Sequence, residues 1–362
     1  MTKAAELANL IGNINAGGGD NFIINGGMTV SQRGSSFTNP SSNAYCLDRY
    51  AIQWSGISPQ FTVSQDTSTP DGEGFYKSLK IATSNTQTPS SGQGAYMYQK
   101  VEGNNISNIM FGTSNAKRLV LSFYVKSSKT GTYSVGFHNN GFDRNLVSEY
   151  TISSANTWEK KTIRFVGDTS GTWTTDTSIG MGVYFHLSNG DGSNTTSTLD
   201  SWQSGNNYLG SQNQVNLWDS SSATWFITGV QLEVGQNATT FEHENFSQTL
   251  EKCRRYYSVL ADGGTDSGEQ IGNQYGYSGG QSEGIVRWGE MRASPSLKHP
   301  TGSNYYAIDS QGDTSTFDNM LTYKFTQRSG LLYKTGLSVT QGRSYRFFLN
   351  NASAYVHLDA EL

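Results

Sequence analysis

The sequence is poor in charge, in cysteine and in long hydrophobic runs. Charged residues make up 15% of its 362 positions, against roughly 25% in a typical soluble domain, and the formal net charge is −4. Such sparse, balanced charge argues against a nucleic-acid-binding protein, which needs a basic face to neutralise phosphates. Since no stretch of about 18 consecutive apolar residues occurs, we expect no transmembrane helix and no membrane insertion.

Only two cysteines are present, Cys46 and Cys253, which is too few for a disulfide framework. They form no C-x-x-C pair, so we expect two buried, reduced thiols and no metal site built on them. By contrast the chain holds 41 Gly, 20 Tyr, 17 Phe and 7 Trp. This composition predicts a polar, aromatic-rich β protein with enough apolar material for a core, made in a reducing compartment.

Period-two alternation dominates residues 21–245. Apolar side chains alternate along 119–125, 133–137 and 181–187, and each of these runs predicts a strand with one buried face. Within 225–234 the apolar phase slips at Thr228 and Gly229, which predicts a β-bulge that restores the inward face. Many strands with few helical patterns predict a two-sheet β-sandwich over this domain.

Two short segments have helical periodicity. Residues 1–20 comprise a helix near the N-terminus, with Leu7, Leu10 and Ile11 as apolar side chains, and a Gly-rich connector. A helix this short is marginal alone, so we predict an attachment or oligomerisation element, with a frayed terminus as the alternative. Residues 246–260 predict an amphipathic helix, in which Phe246 and Leu250 lie on the apolar side.

The last hundred residues predict a smaller β domain. Residues 261–282 are rich in Gly and polar residues and predict a linker or long loop at the start of this 261–362 domain. Short apolar runs then recur up to residue 358 with the spacing of short strands. The predicted fold class is therefore all-β, with short N-terminal and inter-domain helices.

The chain contains no recognisable catalytic motif. It lacks a G-x-S-x-G elbow, a Walker loop, an H-E-x-x-H pair and a Rossmann fingerprint, so we predict no catalytic residues and no cofactor. Oxygen-rich turns at 71–74 and 189–194 leave calcium open, although Asn, Asp and Gly also dominate plain turns. The 242–244 cluster, Glu-His-Glu, is interpreted as a solvated junction rather than a metal site.

Four aromatic residues lie in polar stretches rather than in alternating strands: Trp173, Trp202, Tyr208 and Trp218. Exposed rings beside amide and hydroxyl side chains can stack on the apolar faces of sugars. The same rings can fill a subunit interface, where aromatic residues are enriched. Glycan binding and interface packing therefore both remain open for this set.

Several stretches resemble bacteriophage tail-fibre and virion structural proteins. They are NFIINGGM at 21–28, LSFYVKS at 121–127, WFITGVQLEVG at 225–235, CRRYY at 253–257 and the terminal LDAEL. The resemblance implies a jelly-roll β-sandwich akin to carbohydrate-binding modules, over 21–245, on the virion of a tailed phage. It implies a homotrimer that contacts other tail or capsid proteins, and it supplies no catalytic residue.

The function implied is a virion structural protein, of tail-fibre or spike type, that presents the jelly roll for host-surface glycan recognition or subunit attachment. Its place would be the tail or capsid exterior, after synthesis in the host bacterial cytoplasm. Two alternatives stay open: a capsid decoration or tail adaptor protein without a receptor role, and a glycan depolymerase. Reduced thiols fit this setting, because the chain folds in the cytoplasm and then works outside the cell.

Overall fold

The computed structural model describes residues 3, 20–190, 192, 195–205, 210–263 and 268–362. The chain divides into two compact units, Met1–Leu250 with Leu362, and Glu251–Glu361. The predicted N-terminal attachment residues, Leu7, Leu10 and Ile11, lie outside the described part.

Short antiparallel strands make up most of the larger unit. They are β1 (Ser36–Thr38), β2 (Ala44–Tyr45), β3 (Ala51–Ser55), β4 (Phe61–Asp66), β5 (Ser78–Thr83), β6 (Gly94–Glu102), β7 (Leu119–Ser127), β8 (Gly131–His138), β9 (Arg144–Ile152), β10 (Glu159–Phe165), β11 (Ile179–Asn189), β12 (Thr195–Thr196), β13 (Gln203–Ser204), β14 (Gly210–Ser211) and β15 (Thr224–Val234). Runs of alternating burial along β4, β5 and β10 show one buried and one exposed face.

Two sheets form the body of this unit. One has the order β1-β4-β5-β15-β7-β10 and the other β13-β9-β8-β11-β6-β3-β2, while β12 and β14 form a small parallel pair. The sheets pack face to face: the ring of Phe123 on β7 meets that of Phe185 on β11 edge-on, with centroids 5.2 Å apart. The unit is a jelly-roll β-sandwich, so the predicted all-β class is confirmed.

The predicted bulge lies where the phase of β15 slips. The register against β7 shifts between Thr228 and Gln231, and Gly229 has a φ of 62°. A Cβ at this glycine would come within 2.6 Å of the Phe75 ring. The left-handed conformation and the close ring together require glycine here.

Helices are short. They are α1 (Gly103–Ile106), α2 (Phe246–Arg254) and two 3₁₀ turns at Ser107–Ile109 and Leu217–Asp219. The prediction of a helix over 246–260 is wrong in its second half: β16 (Tyr257–Asp262) begins after a turn, because β25 (Tyr355–Asp359) supplies the partner backbone for a strand. Phe246 is exposed rather than on a buried face. Within the described residues, no helix has the length and hydropathy that crossing a membrane requires.

The smaller unit is also β. After β16 it contains β17 (Gln270–Ser278), β18 (Gln281–Arg287), β19 (Ser296–Lys298), β20 (Tyr306–Ser310), β21 (Asp313–Phe317), β22 (Leu321–Tyr323), β23 (Ser329–Thr335), β24 (Ser344–Leu349) and β25. These form a three-stranded sheet, β16-β25-β19, and a seven-stranded sheet, β21-β20-β24-β17-β18-β23-β22. The predicted linker over 261–282 is wrong, since β17 pairs on both sides within it.

Candidate functional site

The four aromatic residues singled out from the sequence have different surroundings. Tyr208 lies outside the described residues. Trp218 is fully buried and packs edge-on against Phe61 at 5.4 Å. A 3₁₀ turn, whose first backbone N–H groups are capped by the Asn216 side chain, directs this indole into the core. The prediction that Trp218 takes part in a glycan site or an interface is therefore wrong.

Trp173 and Trp202 do come together. Their rings are perpendicular at 5.3 Å, and Phe111 packs against both. The Trp202 indole N–H donates to the Val166 carbonyl at 2.8 Å, which ties the ring to a loop. Both rings are half-buried against the core of the sandwich. They therefore hold loops in place, and only part of each ring faces outward.

A buried ion pair supports the same region. The guanidinium of Arg144 donates to both oxygens of Asp168, at 2.7 Å each, and the pairing raises the pKa of the arginine. The Trp173 indole N–H lies 3.3 Å from the same carboxylate. Beside Trp173 is a pocket of about 230 Å³, walled chiefly by Ile106, Ile109, Met110 and Phe111. Its apolar lining offers shape but few hydrogen-bonding groups.

A second aromatic cluster lies on the outer face of the seven-stranded sheet of the sandwich. Residues directly opposite in the register share a face, and Tyr184 on β11 lies opposite Tyr98 on β6. Their rings are stacked, 5.1 Å apart and 15° from parallel. Tyr96 packs against Tyr184 at 5.3 Å and against the His186 ring at 5.1 Å. We call these residues, with His138, the outer-face cluster.

His138 on β8 completes the cluster. Its ring lies 4.1 Å from that of Tyr184, and the position opposite it on β11 is Gly182. A Cβ at Gly182 would come within 2.3 Å of the Tyr184 ring and 2.9 Å of the His138 ring. Glycine is therefore what leaves room for the two rings to meet on this face.

Both histidines are neutral and have a fixed tautomer. His138 Nδ1 lies 3.0 Å from the Asn139 carbonyl oxygen, and His186 Nδ1 lies 2.8 Å from Asn189 Oδ1. Because each of these partners accepts, Nδ1 must carry the proton. Burial lowers the pKa of His138 to about 3 and that of His186 to about 4. Each ring therefore presents an unprotonated Nε2 lone pair.

These two Nε2 atoms are unsatisfied acceptors. Both are buried, and neither has a hydrogen-bond partner among the described residues. A buried acceptor without a donor costs free energy, and such groups in native structures often belong to functional sites. The outer-face cluster thus combines stacked aromatic rings with two acceptors held ready for a donor.

The edge of the cluster is more open. Phe142 stacks on His138 with centroids 3.9 Å apart, and Tyr45 packs edge-on against Tyr98 at 6.3 Å. Phe142, Tyr45 and Tyr96 are only half-buried. Phe142 also has a φ of 55°, an uncommon conformation for a bulky residue. The covering ring over His138 is therefore held on a strained turn.

The other chemistry considered from the sequence finds no assembled site. In the described part of the chain, no three His, Cys, Asp or Glu side chains are grouped as metal ligands would be. The imidazole of His243, from the 242–244 cluster, has Nε2 3.0 Å from the Glu73 carbonyl oxygen and packs against Phe75 and Phe241. Asp191 and residues 193–194 of the oxygen-rich turn lie outside the described residues.

The outer-face residues were missed, although their sequence carries a signal. In β11 the core residues Val183, Phe185 and Leu187 alternate with Tyr184 and His186. The apolar phase explains the strand and draws attention away from the other phase. Two adjacent strands with aromatic and imidazole side chains on the non-core phase are the pattern that identifies this face.

Comparison with known proteins gives distant structural similarity. No protein-family model and no curated protein matches the sequence. A tailspike protein 4 domain of bacteriophage CBA120, described as enzymatically active, is similar over 55% of this chain and 21% of its own, with 14% identity and a TM-score of 0.30. This chain thus spans only about a fifth of that tailspike chain.

Two smaller proteins are similar over nearly their whole length. A protein of Bacteroides thetaiotaomicron described as sugar-binding is covered to 100%, over 59% of this chain, with 11% identity and a TM-score of 0.35. A family 11 carbohydrate-binding module of Clostridium thermocellum, in complex with a mixed-linked tetrasaccharide, is covered to 98%, over 57% of this chain, with 12% identity and a TM-score of 0.29.

Proposed function

We propose that this protein is a non-enzymatic structural protein of a tailed-phage virion whose jelly roll binds a host-surface glycan through the outer-face cluster. The observation that carries the glycan proposal is the stacked pair Tyr98 and Tyr184 beside two neutral imidazoles. Aromatic faces pack against the C–H faces of a sugar ring. The Nε2 atoms of His138 and His186 accept hydrogen bonds from its hydroxyl groups.

The protonation state favours hydroxyl donors over other ligands. A neutral imidazole with Nδ1 protonated and bonded offers only a lone pair at Nε2, so it recognises a donor and carries no charge for an anion. Because burial depresses both pKa values, this state persists throughout the physiological pH range. An uncharged, hydroxyl-rich ligand meets both requirements.

Access to the acceptors passes through the half-buried rings. Tyr96 is the partly exposed ring of the cluster, and Phe142 covers His138. We propose that a sugar first contacts Tyr96 and then displaces Phe142 from the imidazole. The left-handed backbone of Phe142 makes that covering position less stable than an unstrained one would be.

The virion role is supported by the sequence stretches at 21–28, 121–127 and 225–235, which resemble phage tail-fibre proteins. A place on the tail or capsid exterior, assembly as a trimer and contacts with other virion proteins belong to the same proposal. A weakly charged sandwich with polar loops suits display on a particle surface.

Binding to a panel of host-surface polysaccharides tests the glycan proposal. The Tyr96→Ala variant removes a ring of the cluster, and Tyr76→Ala removes an exposed tyrosine from the loop between β4 and β5 as the matched control. We expect Tyr96→Ala to weaken binding about tenfold and Tyr76→Ala to leave it unchanged. No binding to any polysaccharide would favour the decoration or adaptor alternative, and release of reducing ends would favour the depolymerase.

A further inference from the structure

The smaller unit exposes an apolar surface. Nine large hydrophobic side chains are exposed in the described part of the chain, and five of them belong to four adjacent strands of its seven-stranded sheet: Tyr275, Tyr277, Ile285, Leu321 and Tyr323. We call this set the C-terminal apolar face.

The register shows that the face is continuous. Residues directly opposite one another in neighbouring antiparallel strands lie on the same side of a sheet. Two rows run inward from β22, across β23 and β18: Leu321–Tyr333–Glu283–Tyr275 and Tyr323–Leu331–Ile285. The exposed rings and aliphatic side chains therefore adjoin one another and form one patch.

The patch is large for a surface without a partner. Since a tyrosine contributes about 200 Å² when fully buried, three half-exposed tyrosines with Ile285 and Leu321 expose roughly 500 Å² of apolar surface. The largest patch on a typical monomer is about 300–600 Å², and a standard interface buries about 800 Å² on each partner. This patch with a polar rim is of the size that such an interface requires.

The edge of the sheet is equally unprotected. Strand β22 is the last strand of its sheet, and all three of its residues, Leu321, Thr322 and Tyr323, are exposed. An edge strand with apolar side chains and no proline or lysine within it invites pairing with another chain. We therefore expect this edge to be covered when the protein functions.

The charges on the face are arranged for a second copy of the same surface. Along β18 the apolar Ile285 lies between Glu283 and Arg287, which occupy the same side of the strand two residues away in either direction. When two such strands cross antiparallel about a two-fold axis, Glu283 of each copy faces Arg287 of the other. A two-fold contact requires this kind of self-complementarity.

The rings do not form a platform for a polysaccharide. Tyr275 and Tyr277 are adjacent, with centroids 6.5 Å apart, but their planes meet at 66°. Sugar rings stacked along a chain need aromatic rings that are close to coplanar. The tyrosines are instead placed to interdigitate with side chains of another protein surface.

We infer that the C-terminal apolar face pairs with the same face of a second copy of this chain about a two-fold axis. Ile285 lies at the centre of the contact, and Glu283 and Arg287 fix its direction. The inference concerns association of the chain with itself and does not depend on glycan binding.

The oligomeric state of the full chain tests this inference. We expect light scattering after size exclusion, at micromolar concentration, to give an even multiple of the 39.5 kDa chain mass. The Ile285→Glu variant should halve that mass and raise the dissociation constant at least about 100-fold. Val166→Glu is the matched control, since Val166 is an exposed β-branched residue of the larger unit.

Unfolding of a variant is separated from loss of pairing by its thermal transition, and Tyr323→Glu on the edge strand provides a second, independent substitution. The inference is overturned by a monomeric wild-type protein, by an odd multiple of the chain mass, or by an Ile285→Glu variant whose mass is unchanged. A monomer whose binding to an insoluble polysaccharide falls on Ile285→Glu would assign the face to glycan instead. Polysaccharide binding by the Tyr96→Ala variant is measured separately, so that failure of one proposal leaves the other intact.

Discussion

Acid should destabilise the larger unit through the two buried histidines. In the folded chain the pKa of His138 is about 3 and that of His186 about 4, both lowered from 6.5 mainly by burial. Between these values and 6.5 the unfolded chain binds protons that the folded chain does not. Stability is therefore fully present above about pH 6.5 and is lost progressively as the pH falls towards 3–4.

The magnitude follows from the size of the shifts. Each pKa unit corresponds to about 1.4 kcal/mol, so at pH 4.5 each histidine costs about 2.5 kcal/mol and the pair about 5 kcal/mol. Domains are typically stable by about 5–15 kcal/mol, so this loss is a large share of the total. Urea unfolding at pH 7 and pH 4.5, followed by tryptophan fluorescence, measures it. Six of the seven tryptophans belong to the larger unit, and Trp288 is the exception.

Carboxylates also titrate in this range, and a variant separates their contribution. The double variant His138→Gln/His186→Gln keeps polar side chains but removes both imidazoles. We expect it to lose about 5 kcal/mol less than the wild type between pH 7 and pH 4.5. Equal losses in the two proteins would refute the assignment of the acid sensitivity to these histidines.

Two further predictions concern the scaffold of the sandwich. Arg144→Met leaves the carboxylate of Asp168, which is 2% exposed, without its cation, and should lower the free energy of unfolding by about 3–5 kcal/mol. The double variant Arg144→Met/Asp168→Asn should recover part of that loss in urea unfolding, and no recovery would contradict the role of the buried charge. Gly229→Ala should cost at least about 1–2 kcal/mol, because the residue has a φ of 62° and its Cβ would meet the Phe75 ring. A wild-type melting temperature for this variant would show that the bulge tolerates a side chain.

The sequence predicted the sandwich well, because one strong physical signal determines it. Alternation along 119–125 and 181–187 reflects a face that must be buried, and the slip at Gly229 reflects a bulge that keeps that face inward. The second half of the predicted helix over 246–260 failed, since pairing with β25 outweighs a helical spacing of only four apolar residues. β17 escaped notice because its residues are mostly Gly, Gln, Asn and Tyr, and its pairing partners lie far away in the chain.

The candidate site was harder to predict for a related reason. Trp218 lies among polar residues in the sequence, but a capped turn directs it into the core, and turn geometry depends on contacts with distant strands. Trp173 and Trp202 do meet, although their main role is to hold loops. The outer-face cluster joins β6, β8 and β11, so it exists only once the register of three strands is set.

The central claim is that a glycan hydroxyl donates to the free Nε2 atoms of the outer-face imidazoles. Long-range ¹H–¹⁵N NMR of the histidine side chains, recorded while a binding polysaccharide fragment is added, measures this most directly. We expect two neutral, Nδ1-protonated rings without ligand, whose Nε2 resonances shift on saturation while those of His243 and His299 stay in place. Saturable binding that leaves the Nε2 resonances of His138 and His186 unchanged would contradict the account.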